Sequence, residues 1–167
     1  ADGGTTWTSA QRITMTSGES YYPAIAIDSS GNLHVVWHDY TPGNYEIYYK
    51  KSADGGATWT SAQRLTWTSG VSYYPAIAVD SSGHVHVVWM DYTPGNWEIY
   101  YKKSADGGAT WTSAQRLTWT SGVSYYPAIA VDSSGHVHVV WMDYTPGNWE
   151  IYYKKSADGG ATWTSAQ

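Results

Sequence analysis

The sequence contains no cysteine and no phenylalanine, and only nine of its 167 residues are lysine or arginine. Without cysteine there is no disulfide framework and no thiol chemistry, although that absence says little about compartment, since many exported β proteins do without it. Nine basic residues against fourteen acidic ones give a formal net charge of −5. They form no basic stripe, so nucleic acid is excluded as an expected partner. No apolar run reaches membrane-spanning length and no secretory leader is visible, so no membrane partner is expected. The first residues fall inside a motif, which leaves open an export signal that was removed or lies upstream.

What the sequence has in quantity is tryptophan (11), tyrosine (16) and glycine (17). Aromatic and β-branched residues separated by turn formers indicate an all-β chain. Its organisation is a 52-residue repeat. Residues 53–104 and 105–156 are identical throughout, 1–52 differ from 53–104 at nine positions, and 157–167 begin the repeat again. The 167 residues are expected to form one structural unit of these segments, from recent duplication, engineering or excision from a longer array.

Each repeat predicts four strands. In the first copy they fall near 24–28, 33–38, 45–51 and 58–65, and they recur every 52 residues. Pro75–Asp80 and His84–Met90 are apolar, Trp97–Lys103 is mixed, and Thr110–Leu117 is the most polar. Turn formers separate them: Ser81-Ser82-Gly83, Thr93-Pro94-Gly95-Asn96 and Asp106-Gly107-Gly108. Four short strands in a repeat of this length fit a β-propeller blade, with the apolar strand near the axis and the polar one outside. The fold expected is therefore all-β, a propeller of four-stranded antiparallel blades, about three per chain.

The turn after the third strand reads Ser-x-Asp-x-Gly-x-Thr-Trp. It occurs in full at Ser52/Asp54/Gly56/Trp59, Ser104/Asp106/Gly108/Trp111 and Ser156/Asp158/Gly160/Trp163, and in part at Asp2/Gly4/Trp7. It resembles the Asp-box of the sialidase-like (BNR) propellers. Its residues suit a structural role: the carboxylate caps backbone N–H groups, the glycine permits φ > 0, and the tryptophan plugs the turn.

The resemblance also implies what a catalytic member would show. Three arginines would clamp a carboxylate, one from an Arg-Ile-Pro triplet opening an innermost strand, with a tyrosine nucleophile paired to glutamate. Here the triplets are Tyr21-Tyr22-Pro23, Tyr73-Tyr74-Pro75 and Tyr125-Tyr126-Pro127, and the arginines, Arg12, Arg64 and Arg116, end outermost strands. Near-identical blades also give near-identical environments, against the unequal carboxyls that acid–base catalysis needs. The expectation is a chain that is not an enzyme and has no catalytic residues. Histidine pairs His34/His38, His84/His86 and His136/His138 could hold a metal only with a further ligand. Without paired cysteine or carboxylate they read as satisfied histidines between blades, so no metal or cofactor is expected.

One propeller face gathers the loop joining blades, 67–74, and the turn 91–97. Its aromatics beside amide and carboxylate groups suit sugars, repeated per blade for avidity. The ligand-binding candidates are Tyr40, Asn44, Tyr45, Asp91, Tyr92, Asn96, Trp97, Asp143, Tyr144, Asn148 and Trp149. The same aromatics could instead be packing between blades. Two functional classes follow: a non-catalytic, multivalent carbohydrate-binding module, extracellular or at the cell surface, or a repeat scaffold with no specific ligand. Three blades do not close a ring, so the partner expected besides glycans is a second copy, giving six blades, the number in the sialidase-like family. A nine-blade trimer and closure within a longer array are the alternatives. Residues 6–13 of one copy are expected to complete the last blade of the other, in competition with Thr162–Gln167, which would fray or find another contact.

Overall fold

The computed structural model describes residues 3–167, so Asp2 of the partial turn motif lies outside the described residues. Every element is a β-strand, in chain order β1 (Ser20–Ile27), β2 (Leu33–Asp39), β3 (Glu46–Ser52), β4 (Gln63–Arg64), β5 (Ser72–Val79), β6 (Val85–Asp91), β7 (Glu98–Ser104), β8 (Gln115–Arg116), β9 (Ser124–Val131), β10 (Val137–Asp143) and β11 (Glu150–Ser156). They make three antiparallel sheets: β1-β2-β3-β4, β5-β6-β7-β8, and the three-stranded β9-β10-β11. Strand β5 lies between β1 and β9 at the axis. No helix among the described residues is long and apolar enough to cross a membrane.

Strands β2 and β6 are buried on both faces, because there a sheet is packed against the next. Val36, Ile47, Tyr49 and Leu65 of the first blade form one core with Ile77, Val85, Val87 and Trp89 of the second. The set repeats between blades two and three, where Val88, Ile99, Tyr101 and Leu117 meet Val137, Val139 and Trp141. The hydrophobic core thus lies between blades rather than within them, and a blade needs its neighbours.

Two strand boundaries differ from the expectation. The innermost strand begins four residues early, at Ser20, Ser72 and Ser124, because Tyr-Tyr-Pro enters the sheet through a bulge: register shifts between Tyr73 and Ala76, and likewise between Tyr21 and Ala24. The proline lacks a ladder donor and is accommodated there. The outermost strand shrinks from eight residues to two, Gln63–Arg64 and Gln115–Arg116. The preceding Thr-Trp-Thr leaves the ladder so that tryptophan reaches the adjacent blade: Trp111 packs edge-on to Tyr49 with centroids 5.1 Å apart, and its indole N–H donates to Gln63 Oε1 at 3.0 Å.

The C-terminal copy does not fray within the chain. Gln167 exchanges backbone hydrogen bonds of 3.0 and 3.1 Å with Tyr153 on β11, and Trp163 repeats the tryptophan lock, 5.1 Å from Tyr101 and bonded to Gln115. In the N-terminal copy Trp7 is exposed.

Candidate functional site

The turn motif is satisfied internally in each repeat. In the second, Asp106 Oδ1 accepts from Ser104 Oγ at 2.7 Å and Thr110 N at 2.8 Å, and Oδ2 accepts from Thr110 Oγ1 at 2.6 Å. Asp158 is held in the same way by Ser156 and Thr162. The Thr110 hydroxyl, its N–H and then Ser104 lower the Asp106 carboxyl to about 2; Thr58 and Ser52 do the same for Asp54. The motif glycines donate their N–H to the serine, Gly56 to Ser52 at 2.8 Å, Gly108 to Ser104 and Gly160 to Ser156 at 2.7 Å.

Two residues of this motif do more than the roles expected of them. The glycine supplies more than a positive φ, which is 95° at Gly56, Gly108 and Gly160 alike. At Gly108 a Cβ would fall 2.0 Å from the Tyr49 hydroxyl, and at Gly160 it would strike the Tyr101 hydroxyl, because a ring of the preceding blade lies against the turn. Gly56 has no preceding blade within the chain, and a Cβ there would meet only Leu33 at 3.5 Å and Trp59 at 4.0 Å. The tryptophan, likewise, is more than a plug for its own turn. Trp111 and Trp163 reach a tyrosine of the preceding blade. Trp59 has no such ring to reach; it is half-buried, with its indole N–H 3.4 Å from Gln11 Oε1.

A chain of buried polar contacts runs inward from these turns. Tyr101 Oη, the counterpart of Tyr49 Oη, lies 2.7 Å from His86 Nδ1, and His86 Nε2 lies 3.4 Å from Asp80 Oδ2. His84 is bonded to the same carboxylate at 2.7 Å. Both nitrogens of His34, His86 and His138 are engaged this way, as expected for histidines packed between blades.

At the opposite end of the axis a cavity of about 570 Å³ opens. Its lining is Tyr21, Tyr22, His38, Tyr45, Tyr73, Tyr74, Met90, Trp97, Tyr125 and Tyr126. The Tyr-Tyr-Pro bulges supply six of these rings. Tyr22, Tyr74 and Tyr126 hold φ of 50–51°, the left-handed region that a bulky residue rarely adopts. Such backbone costs about 1–3 kcal/mol and persists only where surrounding contacts enforce it. Here the three rings line up: Tyr22 and Tyr74 have centroids 4.4 Å apart, Tyr74 and Tyr126 4.6 Å. Hydrogen bonding to Tyr22, then burial and Tyr126, raise the Tyr74 phenol, which stays protonated at neutral pH. A second arc of rings lies outside the first. Tyr45 is 4.9 Å from Tyr73, Tyr73 is 5.7 Å from Trp97, and Trp97 is 5.9 Å from Tyr125.

The sequence candidates divide between this cavity and the loop framework. Tyr45 and Trp97 line the cavity, and Tyr40 and Tyr92 flank them at 4.9 and 5.1 Å. Trp149 stacks on Tyr125 at 5.4 Å with Tyr144 beside it at 5.1 Å. The polar candidates sit elsewhere. Asp91 is buried, accepting from Ser72 Oγ, Trp89 Nε1 and Thr93 N at 2.8, 3.0 and 2.8 Å. Asp143 repeats this with Ser124, Trp141 and Thr145. Asn96 bonds Glu98 and the carbonyls of Thr120 and Gly122, and Asn44 bonds Glu46, Thr68 and Gly70. These four side chains staple loops and offer nothing to the cavity. Asn148 is exposed and bonded to Glu150. The cavity residues missed by sequence reasoning are the paired tyrosines before proline, His38 and Met90.

His38 stands where the other repeats carry Met90 and Met142. It is buried, its Nδ1 accepts from Tyr74 N at 3.3 Å, and burial pushes its pKa down to about 4, as burial also does for His86. Both rings are neutral when folded, whereas an unfolded imidazole titrates near 6.5. Their contribution is therefore complete above about pH 6.5 and is lost as pH falls toward 4, by about 1–3 kcal/mol for each ring. Losses from Asp54 and Asp106 come lower, as pH drops below about 4 toward 2. Urea titrations from pH 7 to 4 are expected to show a falling midpoint, with His38→Met, the residue of the other repeats, reducing the fall. A flat profile would contradict the assignment.

The arginines are far from any shared ligand. Arg64 Nη2 donates to buried Glu46 at 2.9 Å and its Nε to Thr66 O at 2.6 Å, and Arg116 does the same with Glu98 and Thr118.

No family's sequence model matches the chain, and no curated protein does. Solved structures do. A leech intramolecular trans-sialidase superposes with a TM-score of 0.75 at 12% identity, over 97% of this chain and 46% of that one. A Hadza microbial sialidase gives 0.71 at 16%, covering 86% and 36%. An α-L-arabinofuranosidase of Fusarium graminearum gives 0.72 at 18%, covering 88% and 47%. The chain thus has a sialidase-like β-propeller fold and spans between about a third and a half of these neighbours. The neighbours are enzymes, which overturns the expectation that the chain is not one. That expectation rested on the arginines, which do not converge, and on the near-identical blades, yet the same fold is found in an arabinofuranosidase as well as in sialidases.

Proposed function

We propose that the chain binds carbohydrate in the axial cavity, with sugar rings lying on the tyrosine and tryptophan faces. The observation that carries this is the continuous lining of eight tyrosine or tryptophan rings around one cavity. Protonated phenols such as Tyr74 add hydroxyls to those faces, the combination that sugars need. Carbohydrate-acting neighbours support the same class of ligand. On this reading the Ser-x-Asp-x-Gly-x-Thr-Trp turns are Asp-box repeats, and the location is extracellular or at the cell surface. Each blade contributes rings to the same cavity, so individual contacts are weak and affinity comes from their number.

Titration with arabinose- and sialic-acid-containing oligosaccharides, followed by tryptophan fluorescence, tests this. Tyr74→Ala is expected to weaken binding by about tenfold or more, the scale of 1–3 kcal/mol for a lost stacking face. Trp119→Ala, on an exposed ring outside the cavity, is expected to leave binding unchanged. Equal loss in both variants, or no glycan bound on an array, would refute the reading and leave a repeat scaffold. Released sugar in the same titrations reports whether a bound glycan is cleaved.

A further inference from the structure

We propose that two copies of this chain join end to start into a six-blade ring, and that the last blade's outermost strand is assembled from both copies. The inference is independent of the sugar reading. It begins from side chains whose surroundings should match and do not. Ile47 and Ile99 are fully buried, whereas Ile151, at the same place in the third blade, is 69% exposed. On the first blade's opposite face Ile25 is 61% exposed, against 8% for its counterpart Ile77. In the two blade contacts within the chain, these two faces cover each other. The open face of the third blade therefore fits the open face of the first, the match that two copies would bring together.

Charge and register make the match specific. Glu46 and Glu98 are buried and each accepts from an arginine on the adjacent outer strand. Glu150 is exposed and has no such guanidinium among the described residues. Arg12 is the counterpart of those arginines, and it faces no carboxylate among the described residues. It is already shaped for one: its Nε donates to Thr14 O at 2.7 Å, as Arg64 Nε donates to Thr66 O. Lys50 holds Ile13 O at 2.6 Å, as Lys102 holds Leu65 O, so residues 12–14 sit at the edge of the first blade in the position of a preceding blade's outer strand. Meanwhile Gln167 occupies the Tyr153 position on β11, the place that Gln63 takes on Tyr49. Gln167 is one repeat position before Arg12. The C-terminal segment can thus keep its place up to Gln167, and the partner continues the strand from Arg12. Arg12 then meets Glu150, and Ile13 meets Ile151 as Leu65 meets Ile47. Trp59 gains the tyrosine it lacks, Tyr153, and Gln167 replaces Gln11 beside its indole. Trp7, which precedes this junction, is exposed. Two rings of aromatic residues are also completed, since Tyr126 and Tyr22, each flanked on one side here, would then flank each other.

The test is light scattering on the full chain at about 10 μM, with circular dichroism to confirm the fold. The expected mass is twice the 18.4 kDa of one chain. Arg12→Glu and Glu150→Arg each place like charges at both junctions, so each is expected to weaken association about tenfold or more. Mixed one to one they give a dimer with one native and one reversed pair, and association is expected to recover. A single-chain mass for the unsubstituted protein, a three-chain mass, or no recovery in the mixture would overturn the proposal.

Discussion

Glu98→Ala is expected to destabilise the fold by about 3–5 kcal/mol. The carboxylate is fully buried and answers to several donors at once. Arg116 Nη2 reaches it at 2.9 Å, Thr120 N at 3.1 Å, Asn96 Nδ2 at 3.2 Å, and Thr118 Oγ1 bonds its other oxygen. Removing one partner of a buried ion pair strands the other charge, which is worse than never having had the pair. Here it also frees three further donors, from Asn96, Thr118 and Thr120, each costing about 1–3 kcal/mol if left unsatisfied. Glu98→Gln keeps an acceptor and is expected to lose less than half as much. Urea unfolding of both variants, with unchanged m-values, measures the difference. Comparable midpoints for Glu98→Ala and the parent would mean that the network contributes little.

The second large effect is expected from one methyl group. Gly108→Ala places a Cβ 2.0 Å from the Tyr49 hydroxyl and 2.4 Å from Cζ, at a φ of 95°. A rigid ring cannot retreat as a lysine tip would, because Tyr49 is itself buried and tied to His34 at 2.8 Å. Overpacking of this kind costs about 1–3 kcal/mol, and the left-handed backbone adds about 1 kcal/mol or more. Gly83→Ala separates the two contributions. It has φ 81° with nothing within 4 Å of the added carbon, so it is expected to show the backbone cost alone. If thermal unfolding ranks the two variants equally, the blade contact at Gly108 is not tight.

Much of this architecture was legible because the repeat copies its signals. Alternation of apolar strands with Asp-Gly and Pro-Gly turns located each blade, and the turn motif located its outer hairpin. What the sequence concealed was which polar groups face inward. Asp91 and Asn96 sit between aromatic residues in a turn and read as ligands for a sugar. Their short side chains instead cap backbone and indole N–H groups, a use that composition cannot separate from binding. The left-handed tyrosines were hidden for a different reason. A bulky residue before proline is a poor prospect for positive φ, and here contact between three such rings, one from each blade, accompanies it, with the Tyr74 N–H bonded to His38. The fourth strand was overestimated because Thr-Trp-Thr has strand propensity, while the tryptophan gains more by crossing to its neighbour's tyrosine. Trp59 and Gly56 carry the same residues as Trp111 and Gly108 yet lack that tyrosine, so a motif read one copy at a time hides its dependence on the blade before it.

The blade contact always joins the front of one 52-residue unit to the back of another, a head-to-tail arrangement. Long identical stretches in a gene recombine with one another. Because the junctions share most of their residues, gain or loss of one of the identical units leaves each surviving junction with nearly the side chains it had before. Unit number can then change in a single genetic event with no compensating substitution, and the limit on it is geometric: only counts whose rotations sum to a full turn shut the circle.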